Sequence, residues 1–192
     1  MASLFPPALP DGFRYEDAFL TTEDERALLA HISTVTFGAF EMRGVVARRR
    51  VAFFGHAYDA SRPAVPMPDF LEPVRYRAAA WAGVDAAAFA MALINEYPPG
   101  APIGWHRDAP PYDIVVGLSL ASPCRMRLRP YVSPRDVAPG GRRVATYELT
   151  LEPRSIYLIA GVARTDYEHA IPPVDALRYS ITLRTLRRTA PR

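Results

Sequence analysis

The chain contains four histidines, at positions 31, 56, 106 and 169. His106 and Asp108 lie two residues apart. In an extended segment residues i and i+2 project to one side, so this imidazole and this carboxylate can converge on a single point. His169 lies further along, directly before Ala170-Ile171-Pro172-Pro173. Two histidines and one carboxylate are the donor set of a facial triad, which binds non-haem Fe(II) through three ligands and leaves three positions open. Taken alone, a His-x-Asp pair is more often a satisfied surface or core pair.

Two further segments narrow the reading. In Arg178-Tyr-Ser-Ile-Thr-Leu-Arg184 a period of two puts Arg178, Ser180, Thr182 and Arg184 on one face. Tyr179, Ile181 and Leu183 take the other. If the apolar face packs on helices, two guanidiniums project inward. An enclosed arginine requires a bound carboxylate or a protein acid. If the faces are reversed, the segment is an ordinary solvated strand. Asn95, the only asparagine in a chain without glutamine, shares a strand face with Tyr97. Both can donate hydrogen bonds to a carboxylate or keto oxygen.

The elements that must position these residues follow from pattern. Thr22-Glu23-Asp24-Glu25 reads as a capping box opening a helix from about Glu23 to Ser33. Val35–Phe40 and Val45–Phe54 read as strands joined near Arg43-Gly44. Asp69–Ala82 reads as a helix stopped by Gly83, its regular part starting near Pro73. Beyond Ala90, short runs alternate with turn residues: Met91–Tyr97, Ile114–Leu120, Arg125–Arg129, Val144–Leu151, Ser155–Ile159 and Tyr179–Leu186. Six short strands at this spacing predict a mainly β (α+β) fold, a sandwich or barrel with flanking helices.

Composition bounds the rest. The 192 residues fit one domain, 49% hydrophobic and 22% charged, with a net charge of +3. All 23 basic residues are arginine, which excludes Schiff-base and P-loop lysine chemistry. One cysteine, Cys124, excludes an internal disulfide and a cysteine-based zinc site. The first residues lack a signal-peptide pattern and no stretch is long and apolar enough to span a membrane. A reducing, cytoplasmic location and a monomer are expected. His106-Arg107-Asp108 also spells a kinase triplet, but position 113 is Asp rather than Asn and there is no lysine, so a kinase is excluded.

Taken together, Asn95-x-Tyr97-x-x-Gly100-x-x-Ile103-x-x-His106-x-Asp108, then His169, then Arg178-x-x-x-x-x-Arg184, resembles the AlkB family of Fe(II)- and 2-oxoglutarate-dependent dioxygenases. Leu151–Tyr167, with Gly161 and Tyr167, also fits, and Arg49 through Phe54-Gly55 resembles the family's substrate-side segment. The resemblance implies a double-stranded β-helix (jelly-roll) core over about 89–188, preceded by a helical and substrate-lid part over about 1–88. It implies Fe(II) held by His106, Asp108 and His169, with 2-oxoglutarate and O2 as cosubstrates. Arg178 would grip the far carboxylate and Arg184 would sit near the other, while Asn95, Tyr97 and Ser180 would add hydrogen bonds. The implied reaction is oxidative dealkylation of N-alkylated bases in single-stranded or locally unpaired DNA or RNA, giving succinate, CO2 and formaldehyde. A same-chemistry oxygenase acting on a protein side chain or metabolite, and a non-catalytic jelly-roll binding module, are the alternatives.

On the substrate side the resemblance thins. Where the best-known DNA-repairing member of the family has an acidic base-contact residue, this chain has Pro110. Arg49, Phe53, Phe54, Tyr58 and Tyr112 are the candidate substrate residues. Adjacent strand residues face opposite ways, so Phe53 and Phe54 cannot both line one wall. Trp105 reads as packing. The triplet Arg48-Arg49-Arg50 is the preferred phosphate contact, ahead of Arg142-Arg143 and of Arg125/Arg127/Arg129, which read as a solvated strand face.

Overall fold

Side-chain alternation along two central strands decides the architecture. In β11 (Arg178–Leu186), Ile181 and Leu183 are fully buried on one face and Arg178, Ser180 and Thr182 are buried on the other. Its neighbour β4 (Phe89–Tyr97) is likewise covered on both sides. A strand buried on both faces must sit between two layers. The structure, a computed structural model, describes residues 9–42, 44–56, 64–133 and 145–187.

Seven strands form the larger sheet: β1 (Phe13–Glu16), β2 (Gly38–Met42), β3 (Val45–Gly55), β4, β6 (Tyr112–Leu120), β9 (Ile156–Ile159) and β11. Their order is β1-β9-β6-β11-β4-β3-β2. Four more, β5 (Ile103–His106), β7 (Cys124–Pro130), β8 (Tyr147–Leu151) and β10 (Tyr167–Ile171), form a second sheet in the order β5-β10-β7-β8. Every pairing is antiparallel. The outer face of the large sheet carries Ile94, Leu118, Ile181 and Leu183, packed on α1 (Thr22–Ile32) and α2 (Glu72–Ala82). A second core lies between the sheets and includes Tyr97, Val115, Met126, Leu128, Tyr157 and Ile159. This is the jelly-roll arrangement expected from the sequence, with the helices on the apolar face of β11, so the two arginines turn inward.

Several local expectations shift. The helix cap is Thr21, not Thr22. Thr21 Oγ1 accepts from Asp24 N–H at 3.0 Å and the Asp24 carboxylate accepts from Thr21 N–H at 3.0 Å. Glu25, read as the box's acid, is instead buried. It accepts from Ala121 N–H at 2.9 Å and from Arg154 at 3.2 Å, tying α1 to the loops below. The second helix begins with a 3-10 turn at Asp69–Leu71, and Gly83 closes it in the left-handed conformation at φ 73°. The strand predicted at Val35–Phe40 runs over Gly38–Met42. Strands β1, β5 and β10 and the single-turn α3 (Gly161–Thr165) are additional. Each is five residues or fewer, too short for periodicity to declare. Tyr58, Arg142 and Arg143 lie outside the described residues. Cys124 is a buried free thiol. Among the described residues no helix is long and apolar enough to cross a membrane.

Candidate active site

Strand register gathers the residues singled out by type. Antiparallel pairing of β5 with β10 sets His106 opposite His169, with ring centroids 4.2 Å apart. Asp108 follows two residues after His106, and its Oδ2 lies 3.8 Å from His169 Nε2. The His106 ring nitrogen Nδ1 is 2.9 Å from the Gly104 carbonyl. A carbonyl only accepts, so Nδ1 carries the proton and Nε2 keeps its lone pair for a metal. The Asp108 and His169 side chains are only 6% and 12% exposed. Burial opposes ionisation of Asp108, but Arg184 beside it, helped by the two histidines, holds its carboxyl well below the usual range. Burial, with neighbouring His106, drives the His169 imidazole down to about 3, so it is neutral at physiological pH. A neutral imidazole at His169 and an ionised carboxylate at Asp108 are the protonation states in which such groups bind Fe(II). Among the described residues no three His, Cys, Asp or Glu side chains form a closed metal-binding cluster, so the assignment of the triad stands on register and donor chemistry.

The two inward arginines of β11 have different partners. Arg184 donates to Asp108 Oδ1 through Nε at 3.2 Å and Nη2 at 2.9 Å, and to Thr182 Oγ1 at 3.0 Å. It is answered by a protein acid. Arg178 is not. It is 0% exposed, its Nε donates to Ser119 Oγ at 3.2 Å and its guanidinium lies 4.9 Å from the Tyr97 ring centroid, yet among the described residues neither terminal nitrogen has a hydrogen-bond partner. A buried cation with two idle donors is shaped for a carboxylate. Register places Ser180 opposite Asn95 and Arg178 opposite Tyr97, with Asn95 donating to Ser180 Oγ at 3.3 Å. Thus all five residues expected for the cosubstrate come to one inner face. A narrow cavity of about 60 Å³ runs past Asn95, Tyr97, Ser180, Thr182 and Arg184 to His106, Asp108 and His169.

A second cavity of about 80 Å³ opens over the triad. Arg49, Leu93, His106, Asp108 and Arg184 border both spaces, and Phe40, Phe53, Met91, Arg107, Ala109 and Tyr112 complete the outer one. Of the predicted substrate residues, Arg49, Phe53 and Tyr112 therefore meet there. Phe54 does not: it points the other way and packs against the helix-side core. The arginine triplet also divides. Arg50 is paired with Glu96. Arg49 is partly buried, donates to Asn95 Oδ1 at 3.3 Å and lies 4.3 Å from the Phe40 ring centroid; burial, with Arg184, lowers its pKa. Arg48 and Arg50 are both exposed, and of the two only Arg50 has an ion-pair partner among the described residues. Arg125 and Arg127 pair with Glu148, and Arg129 pairs with Glu168 while covering Trp105, so that face is solvated and the indole is packing.

Four site residues escaped the sequence reading. Phe40 carries no signal of its own. Arg164 on α3 donates through Nη2 to the carbonyls of Asp108 (3.0 Å), Ala109 (2.6 Å) and Tyr112 (3.0 Å), clamping the loop that carries Asp108. Tyr157 lines the inner cavity, and Gly117 makes room for its ring. A glycine inside the apolar strand Ile114–Leu120 was the available signal, because strand glycines mark close approaches.

This fold matches known proteins. The chain belongs to the 2OG-Fe(II) oxygenase superfamily, whose family model matches residues 21–185. That superfamily comprises 2-oxoglutarate-dependent dioxygenases, with Fe(II) as metal and 2-oxoglutarate and O2 as cosubstrates, and within it the chain is similar to AlkB proteins. A curated relative, the "Alkylated DNA repair protein ALKBH8 homolog" of Arabidopsis thaliana, is 29% identical over 95% of this chain; the match spans 57% of the relative's length. Among solved structures, OsALKBH1 superposes with a TM-score of 0.64 at 15% identity, covering 93% of this chain and 100% of that one. A prolyl hydroxylase from Trichoplax adhaerens, solved with a peptide of hypoxia inducible factor, superposes at 0.60, 15% identity and 92% and 84% coverage. A prolyl-4-hydroxylase of Pseudomonas putida does so at 0.58, 15% identity and 93% and 94% coverage. At that identity the structural matches show the fold.

Proposed function

We propose that the chain removes N-alkyl groups oxidatively from bases of single-stranded or locally unpaired nucleic acid. The observation that carries this reading is the outer cavity, where Phe40, Phe53 and Tyr112 stand with Arg49 directly over His106 and Asp108. Flat aromatic walls favour a flat ring, and stacking on such side chains contributes about 1–3 kcal/mol per base. A base must leave its stack to reach a cavity this deep, which favours unpaired substrate. Arg48, exposed and without an ion-pair partner among the described residues, is the member of the triplet left for a phosphate. The alkylated-DNA-repair relative supports the same substrate class.

In this reading His106, Asp108 and His169 hold Fe(II). Asn95, Tyr97, Arg178, Ser180 and Arg184 seat 2-oxoglutarate. The bound iron, with 2-oxoglutarate and O2, supplies the oxidation: one oxygen atom ends in succinate and the other in the formaldehyde released from an N-methyl group, with CO2 lost from the cosubstrate. The chain's own contribution is positional. Arg184 keeps Asp108 ionised, the Gly104 carbonyl fixes the His106 tautomer, Arg178 fixes the far end of the cosubstrate, and the aromatic wall aims the alkyl carbon and excludes water.

The test incubates the protein with Fe(II), 2-oxoglutarate, O2 and N-methylated single-stranded DNA or RNA, with a proline peptide as comparison. Mass spectrometry reads the oligonucleotide and succinate together, with His106→Ala as control. Loss of one methylene mass, absent in the control, is the expected result. Succinate formed equally with and without oligonucleotide, and no mass change, would overturn the substrate assignment; hydroxylation of the peptide would replace it.

A further inference from the structure

The inner face of the large sheet has one side chain that does not stay in its own column. Tyr157 on β9 is opposite Gly117 on β6, and Gly117 is opposite Thr182 on β11. A Cβ at position 117 would lie 2.1 Å from Tyr157 Cζ, 2.3 Å from Cε1 and 2.4 Å from the phenol oxygen. Gly117 has no positive φ that would call for glycine. It is small because the tyrosine ring lies flat across its backbone. The far end of that ring is thereby carried one column over, towards the strand bearing Arg178, Ser180, Thr182 and Arg184. Phe13 stacks on the ring at 6.3 Å with planes 4° apart, which holds it there.

The phenol arrives in the cosubstrate cavity. Tyr157 shares that cavity's wall with Asn95, Tyr97, Ser180, Thr182 and Arg184. Among the described residues its hydroxyl has no hydrogen-bond partner, although the side chain is only 6% exposed. Gly117, over which the ring lies, is paired with Thr182, midway between Arg178 and Arg184 on β11, and the charged groups that act on the phenol include Arg178 as well as Arg184 and Asp108. Burial pushes the phenol far above its ordinary pKa, so at working pH it is a protonated donor.

We propose that Tyr157, admitted by Gly117, is an additional binding residue for 2-oxoglutarate: its hydroxyl donates to the distal carboxylate that Arg178 holds. This rests on the assignment of Arg178 to that carboxylate. Two phenols, Tyr97 and Tyr157, then stand with the guanidinium around one anion, and the ring closes the cavity between the two arginines. The pairing of a large residue with a glycine on the next strand is what makes the device recognisable.

The experiment measures 2-oxoglutarate binding to the full chain by isothermal titration calorimetry with Mn(II) in place of Fe(II), alongside Tm without cosubstrate. Tyr157→Phe keeps the ring and removes only the donor. It is expected to weaken 2-oxoglutarate about tenfold, as a charge-assisted hydrogen bond would, with Tm unchanged. In an Arg178→Met background the same substitution is expected to cost much less, because the shared carboxylate is already released. Gly117→Ala is expected to lower both Tm and affinity by displacing the ring. Gly117→Ala with Tyr157→Leu should restore Tm and leave affinity low. Wild-type affinity in Tyr157→Phe, or full additivity with Arg178→Met, would overturn the proposal. If the wild-type protein binds 2-oxoglutarate and Arg178→Met binds it equally well, the Arg178 assignment fails first and the proposal with it.

Discussion

Arg178 offers the sharpest test of the site, because removing it should act in opposite directions on the free protein and on the cosubstrate complex. Without a partner, its two buried terminal nitrogens each cost on the order of 1–3 kcal/mol. Arg178→Met keeps most of the stem volume and deletes both donors. The losses are the Nε bond to Ser119, about 0.5–1.5 kcal/mol, and the stack on Tyr97, about 1–2 kcal/mol. Gains and losses nearly cancel, so the Tm of the free protein should stay the same or rise by a few degrees, at roughly 2–4 °C per kcal/mol. The complex behaves differently. Truncating one partner of a buried, hydrogen-bonded charge pair costs about 2–5 kcal/mol, which is a loss of about thirtyfold to several thousandfold in affinity. Differential scanning calorimetry with Mn(II) and titrated 2-oxoglutarate reads both quantities, since ligand stabilisation grows with the logarithm of [L]/Kd. The expected pattern is an unharmed apo transition and a lost cosubstrate-induced shift. A strongly lowered apo Tm with that shift intact would show that Arg178 is packing, and would refute the reasoning.

Other perturbations separate the remaining roles. Arg164→Ala strips a donor from three backbone carbonyls around Asp108, so Mn(II) affinity should fall about 10- to 100-fold, read by electron paramagnetic resonance titration; unchanged affinity would deny the clamp. Phe53→Ala should weaken binding of an N-methylated oligonucleotide by about 1–3 kcal/mol and leave 2-oxoglutarate affinity alone, whereas Phe54→Ala should lower Tm; the reverse pattern would show the strand faces misassigned. The Arg77 hydrogen bond, with the cap at Thr21, lowers the Asp24 pKa from 3.8 to about 2. A depressed carboxyl stabilises the fold above its unfolded pKa and loses that contribution as pH falls through the folded one. Asp24→Asn should therefore flatten the acid limb of the Tm curve between about pH 4 and pH 2; identical acid limbs would contradict the cap.

What the sequence discloses here depends on how far apart the cooperating residues lie. Period-two alternation in Arg178–Arg184 is local, so the inward face of β11 was legible once its apolar partners Ile181 and Leu183 were seen as core. The His-x-Asp spacing was local too. The register that sets His106 opposite His169 is not: it joins a four-residue strand to a five-residue strand across more than sixty residues, and neither is long enough to announce itself. The division of labour between the arginines was also hidden, since only the structure shows that Asp108 answers Arg184 while, among the described residues, no acid answers Arg178. Tyr157 illustrates the hardest case. Its meaning depends on an absent side chain at Gly117, forty residues earlier. On the substrate side the alternation argument correctly split Phe53 from Phe54. It could not foresee that Arg49 would turn inward while Arg50 met Glu96.

Strand β5 is one of the two edge strands of its sheet and, among the described residues, has a neighbour on one side only. It is four residues long, and His106 is its last residue. With so few ladder bonds, such an edge is the natural place for the barrel to fray. An ion gripping His106 and Asp108 from this edge, and His169 from the next strand, would rivet the two together in a way the short ladder cannot. Metal occupancy would then be coupled to closure of the barrel wall. Iron starvation would cost this enzyme more than its oxidant: it would loosen the seam beside the cosubstrate cavity.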